Sequence, residues 1–89
     1  MNDDEIIILR KAINTFGGNN QIIKTIEELG ELETALARYF DRNKADNDNI
    51  CEEIADVEIM LEQLKMIFDS KTIKRYKEIK LNRLSGVVW

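Results

Sequence analysis

Two pairs of acidic residues, Glu28 with Glu31 and Glu53 with Asp56, are each spaced by three positions and embedded in apolar patterns of helical period. Three residues is close to one helical turn, so both carboxylates of a pair project from one side of a helix. On a helical wheel of about 100° per residue, Glu53 lies between Val57 and Met60 on the apolar stripe, with Asp56 on its edge. Glu28 likewise falls on the line of Gln21, Leu32, Ala35 and Tyr39, with Glu31 on its edge. Solvated acids belong opposite such a stripe, where Glu58 and Glu62 lie near Lys65. An unpaired charge beside an apolar stripe is costly, and four together repel one another. Carboxylates so placed must be paired with cations, bound to metal or protonated. Divalent metal is one solution, and hard oxygen-only ligation favours Mg²⁺ or Mn²⁺ over zinc. Ion pairs with Lys24, Lys77, Lys80 or Arg83 are the other.

The chain has no proline, and its punctuation marks out four helices and no strand. Asp3, Asp4 and Glu5 place negative charge at the start of a first helix, about 3–16, which Gly17-Gly18 ends. Asn19 or Asn20 caps a second helix, about 20–42, and the polar stretch from Asn43 to Asp48 is too hydrophilic to bury. Asn49 with Glu52 resembles a capping box opening a third helix, about 49–69, whose apolar residues Ile50, Ile54, Val57, Leu61, Leu64 and Phe68 alternate four-three. A basic fourth helix covers about 71–84, and Gly86 with Val87-Val88-Trp89 closes the chain. The expected fold is all-α, one small domain over 1–89. At 89 residues the core is small, and one cysteine and no histidine leave no disulfide or zinc framework to support it. A second apolar strip on the third helix, Ala55, Ile59 and Met66, predicts a further helical partner, so the bundle is expected to be completed by homo-oligomerisation.

The absence of histidine removes Ser/His/Asp and Cys/His catalytic systems, leaving carboxylates, lysines or metal for any catalysis. No apolar run approaches the length of a membrane span and the acidic start is unlike a secretory signal, which reads as a soluble, cytoplasmic chain with no membrane partner. Residues 1–70 carry sixteen acids against seven bases, and residues 71–89 carry six bases against one acid. Such a split suits a site where metal and basic side chains jointly hold polyphosphate, and equally suits charge balance between helices. The acidic total disfavours nucleic acid as a partner.

Gln21, Lys24, Glu27-Glu28-Leu29-Gly30-Glu31-Leu32 and Glu52-Glu53-Ile54-Ala55-Asp56-Val57 resemble the signature of the MazG-like, all-α nucleoside triphosphate pyrophosphohydrolases, E-E-x-x-E on one helix and E-x-x-D on the next. The resemblance covers roughly residues 17 to 64. It implies a Mg²⁺-dependent enzyme, with Mn²⁺ as a substitute, that hydrolyses a nucleoside triphosphate to the monophosphate and pyrophosphate. It also implies a homodimer or dimer of dimers. Glu28, Glu31, Glu53 and Asp56 match the family's metal ligands, and Glu27 would orient or deprotonate the attacking water, or else face solvent as a partner for Arg38. The resemblance admits deoxynucleotides and non-standard nucleotides as substrates, and the residues themselves select neither base nor sugar. The chain departs from larger relatives in being short, with a single signature.

Phosphate contacts are expected from the fourth helix, where Lys77 and Lys80 lie on the apolar face marked by Ile73, Tyr76 and Leu84, with Arg83 at its edge. The same side chains would serve equally well by snorkelling or by pairing with acids of another subunit. Lys24, one turn before Glu28, is a further phosphate candidate. Cys51 reads as a small, at least partly buried residue rather than a nucleophile. Phe16, Tyr39, Phe40, Phe68, Tyr76 and Trp89 are more often core than base platforms at helical spacing. Two other functional classes fit the composition: a non-catalytic helical dimer serving protein interaction or regulation, and a relative that binds nucleotide without turnover. The first leaves the matched geometry of the two acidic pairs unexplained.

Overall fold

The computed structural model describes residues 1–89 as four α-helices without strands: α1 (Asp3–Phe16), α2 (Gly18–Arg38), α3 (Asn47–Ile67) and α4 (Ser70–Val88). Asn2 caps α1 by accepting from the Glu5 N–H at 2.9 Å, and three acids occupy the first turn, complementing the helix dipole. One residue separates α1 from α2. Gly17 has φ +92°, in the region that side-chain-bearing residues rarely adopt, while its N–H still bonds the Ile13 carbonyl at 2.8 Å.

Several boundaries differ from the sequence expectation, each for a local reason. Neither Asn19 nor Asn20 caps α2; Asn20 Nδ2 instead donates to the Phe16 carbonyl at 2.7 Å and closes the end of α1. Helix α2 stops at Arg38 rather than near 42. Asp41 competes with the helix by accepting from the Asn43 N–H through its side chain, and its carbonyl accepts from both Lys44 and Ala45. Helix α3 starts at Asn47, and Asp46 rather than an Asn49/Glu52 box caps it, accepting from the Asn49 N–H at 3.0 Å. Helix α3 ends at Ile67, short of 69, because Asp69 is already the cap of α4. Its carboxylate accepts from the Lys71 and Thr72 N–H groups and from the Thr72 hydroxyl. These bonds, that to the Thr72 side chain above all, hold the Asp69 carboxyl below the usual range. Helix α4 passes through Gly86 to Val88, since one exposed glycine weakens a helix without stopping it.

Helices α2 and α3 form the centre. Gln21 near the start of α2 bonds Gln63 near the end of α3, and Glu28 lies by Glu53, so the two helices run antiparallel. Helix α1 touches both, and α4 touches α3 alone. Only nine residues are buried, and just four of them, Leu9, Ala35, Val57 and Met60, are apolar. The buried line of α3 is Glu53–Val57–Met60–Gln63, whereas the apolar stripe expected to be core is half open: Ile54, Leu61 and Phe68 are 41 %, 43 % and 57 % exposed. The buried line of α2 is Gln21–Thr25–Glu28–Ala35, with Ile26, Leu29 and Leu36 exposed beside it.

Ile26, Leu29 and Leu36 of α2 and Ile54 and Leu61 of α3 each follow a buried residue by a single position, a rotation of about 100° in the same sense. Because the helices are antiparallel, these rotations carry both apolar seams to one side of the hairpin. Glu31 and Asp56, three positions after Glu28 and Glu53, rotate the opposite way. The hairpin therefore presents these apolar residues on one face and Glu31 and Asp56 on the other.

The Gln21–Gln63 bond, 2.7 Å from Nε2 to Oε1 and buried, fixes the register of α2 against α3. Gln63→Ala leaves the Gln21 amide unpartnered and is expected to cost about 1–3 kcal/mol by urea denaturation. Leucine at both positions should recover most of that loss.

Candidate metal centre

Glu28 and Glu53 approach across the α2–α3 interface, and Asp56 joins them one turn further along α3. One carboxylate oxygen from each of the three lies within 4.8 Å of the other two. Glu28 and Glu53 are 7 % and 9 % exposed, and Asp56 is half-buried. Lys24 is the one cation paired with the three, its Nζ 3.1 Å from Glu28 Oε1. Glu28 Oε2 and Glu53 Oε2 are buried and accept no hydrogen bond. Two desolvated carboxylate oxygens facing a third acid form an unbalanced arrangement, and a bound cation removes both the desolvation cost and the repulsion.

The electrostatics express the same imbalance. The Glu53 pKa is raised, first by burial and then by the charges of Glu31, Asp56 and Glu28. The Lys24 pKa is raised by its hydrogen bond to Glu28 and that residue's charge, with smaller contributions from Glu27 and Glu31. Lys24 thus answers one carboxylate of the group and leaves the others unbalanced.

Glu31 is exposed and stands outside the tight trio, while its charge acts on Glu53. A cleft of about 570 Å³ runs alongside, lined by Glu27, Glu31, Arg38, Asn49 and Glu53 among others. Glu27 is exposed there and lies 4.0 Å from Lys24, rather than pairing with Arg38. Lys24, read from sequence as a phosphate contact, is engaged with Glu28. Lys77, Lys80 and Arg83 are not brought to the acids: α4 does not touch α2, and no α4 residue lines the cleft. Cys51, expected to be at least partly buried, is exposed. A larger depression, about 710 Å³ between α1 and the end of α3, lies away from the acidic trio and has the Lys65–Glu62 pair on its wall.

The donor set fits a hard divalent ion. All three candidate ligands are carboxylates, Glu28 and Glu53 each carry a buried oxygen with no hydrogen-bond partner, and neither histidine nor cysteine is present among them. Glu28, Glu53 and Asp56 would hold the ion, with Glu31 on the cleft side able to complete its surroundings. Nothing in the sequence placed Gln63 or Asn49 beside the acids. Gln63 carried the same signal as the acids, a polar residue on a buried helical line. Asn49 was read as a cap, a role that Asp46 fills.

The raised pKa of Glu53 gives a signed expectation. The folded state holds this proton at a pH where the unfolded chain has released it, so its contribution is present below the ordinary glutamate range. That contribution is lost as pH rises through the raised value. The metal-free protein should thus lose stability across that window, and Glu53→Gln should flatten the loss and raise the Tm at neutral pH. Mg²⁺ should raise the Tm of the wild type, by an amount equivalent to about 2.7 kcal/mol at a hundredfold excess over Kd, and leave Glu53→Gln unmoved. Differential scanning calorimetry with and without Mg²⁺ checks both. No family model, curated protein or solved structure matches the chain.

Proposed function

We propose that this protein is a Mg²⁺-dependent nucleoside triphosphate pyrophosphohydrolase of the MazG-like kind, acting as a homo-oligomer. The observation that carries the reading is the convergence of Glu28, Glu53 and Asp56 within 4.8 Å, with a buried, unpartnered oxygen on each glutamate. Bound among these oxygens, Mg²⁺ supplies charge neutralisation to the triphosphate and Lewis acidity at the α–β phosphoanhydride.

The chain's own residues supply position and proton handling. Glu28 and Glu53, fixed by burial on two antiparallel helices, set the site's location to within the play of the α2–α3 register. Lys24 holds Glu28 by an ion pair and limits its rotation. Glu27 and Glu31 line the cleft at the site's open side, where a carboxylate can accept the proton of an attacking water. No nucleophilic side chain is needed, which suits a chain whose lone cysteine and absent histidine offer no activated nucleophile.

The exposed apolar seam supports the oligomer. Ile26, Leu29 and Leu36 of α2 and Ile54 and Leu61 of α3 share one side of the hairpin, opposite the acids. A two-fold partner presenting the same face would form a four-helix bundle and leave the clefts open. No helix is long and apolar enough to cross a membrane.

Pyrophosphate release from a panel of ribo- and deoxynucleoside triphosphates with Mg²⁺ tests the reaction, and Glu53→Gln should lose at least about a thousandfold in kcat. Silence of the wild type across the panel would overturn it. Light scattering at micromolar concentration should give a dimer or tetramer mass, and Leu29→Glu with Leu61→Glu should reduce it to the monomer.

A further inference from the structure

The two oxygens of Glu28 stand in different surroundings. Oε1 accepts from the Lys24 ammonium at 3.1 Å, whereas Oε2 is buried and has no hydrogen-bond partner. The pair joins positions i and i+4 of one helix, a spacing that helical geometry brings together without help from the rest of the fold. Lys24 is half exposed and also has the Glu27 carboxylate 4.0 Å away, so its ammonium stands between solvent and the buried acids. No ion pair within the chain reaches Glu53 or Asp56. Of the three carboxylates that converge within 4.8 Å, Glu28 is thus the one with an oxygen already claimed by a cation.

Charge and oxygen supply both bear on which ion such a group selects. Three carboxylates and one ammonium leave two negative charges, which a single divalent ion balances. Mg²⁺ demands near-ideal octahedral geometry at about 2.0–2.1 Å and keeps several waters, so one oxygen from each carboxylate suffices. Ca²⁺ gathers about six to eight oxygens at longer range, and chelation by both oxygens of a carboxylate is a common way to reach that number. A glutamate with one oxygen held by lysine offers an ion the other oxygen alone. Turning both toward the ion would break a charge-assisted hydrogen bond.

We propose that Lys24 sets the cation preference of the metal centre: by holding Glu28 Oε1 it confines Glu28 to one oxygen toward the ion and favours Mg²⁺ over Ca²⁺. Lys24 acts here through Glu28 and is a positioning residue. The inference rests on the metal part of the reading above and not on hydrolysis of nucleotide. The charge of Lys24 and its geometry have separable effects. Its ammonium repels two divalent ions alike, whereas confinement of Glu28 to one oxygen bears on the ion that chelates.

Isothermal titration calorimetry with Mg²⁺ and with Ca²⁺, on the full chain without nucleotide, tests the proposal in wild type, Lys24→Met and Lys24→Arg. Methionine keeps an unbranched stem and the helix propensity of lysine while removing the ammonium. The ratio of the Ca²⁺ Kd to the Mg²⁺ Kd should fall at least about tenfold in Lys24→Met, and Lys24→Arg should hold it near the wild-type value. Loss of a repelling charge alone would tighten both ions, and loss of a prop for α2 would weaken both. Either result leaves the ratio unmoved and would overturn the proposal. Infrared spectra of the Ca²⁺-loaded proteins give a second readout: the gap between antisymmetric and symmetric carboxylate stretches should narrow in Lys24→Met relative to wild type, as chelation requires, and an unchanged gap would count against it. Wild type that binds neither ion, or binding that survives intact in Glu53→Gln, would overturn the metal centre and this inference with it. A ratio that moves as expected in a protein releasing no pyrophosphate would uphold the role of Lys24 and overturn the hydrolase reading alone.

Discussion

The structure depends on an unusual interface, two antiparallel helices whose shared buried line is more polar than apolar. Gln21, Thr25 and Glu28 of α2 face Glu53 and Gln63 of α3, with Ala35, Val57 and Met60 as the apolar part. Apolar burial drives most helix pairing, and on this fully buried line only Ala35, Val57 and Met60 supply it. What the polar line supplies is register. A Gln–Gln bond is directional, and it places two glutamates side by side where leucines would have tolerated a slip. Every other feature of the centre follows from that register, including the position of Asp56 and the opening of the cleft on the side opposite the apolar seam.

Much of this was legible in the sequence, for a physical reason. Helical period is strict, so the wheel position of Glu28 and Glu53 could be read from their neighbours, and both are buried. The helix count and absence of strands followed from the lack of proline and the placement of glycines and acids. Less legible were the ends. Asp41, Asp46 and Asp69 each make local hydrogen bonds that decide where a helix stops or starts, and composition gives no ranking among competing asparagines and aspartates. Period alone assigns the apolar stripe of α3 to the core, whereas Ile54 and Leu61 lie outside it within one chain. Periodicity reports that a stripe wants cover; it does not say whether the cover is on the same molecule.

The centre is also a place where stability is given up. Burying two carboxylates with an unpartnered oxygen on each is unfavourable, and the nearby charges of Glu31 and Asp56 make it more so. A chain with four apolar residues in its core has little reserve to offset this. The arrangement makes sense where a ligand of opposite charge supplies the missing term, coupling the integrity of the fold to occupancy of the site.

The one-residue offset between buried line and apolar seam has a genetic consequence. Inserting a single residue into α2 ahead of Glu28 turns everything after it by about 100°, so that Glu28 would move into the place of Leu29 and the seam would carry charge. The same insertion between Phe40 and Ala45, where the backbone is in turns and fully exposed, moves no side chain on either helix. Length variation among descendants of this chain should therefore collect in the α2–α3 connection and be purged from α2 and α3 themselves, leaving the spacing within each helix more constant over time than the residues that occupy it.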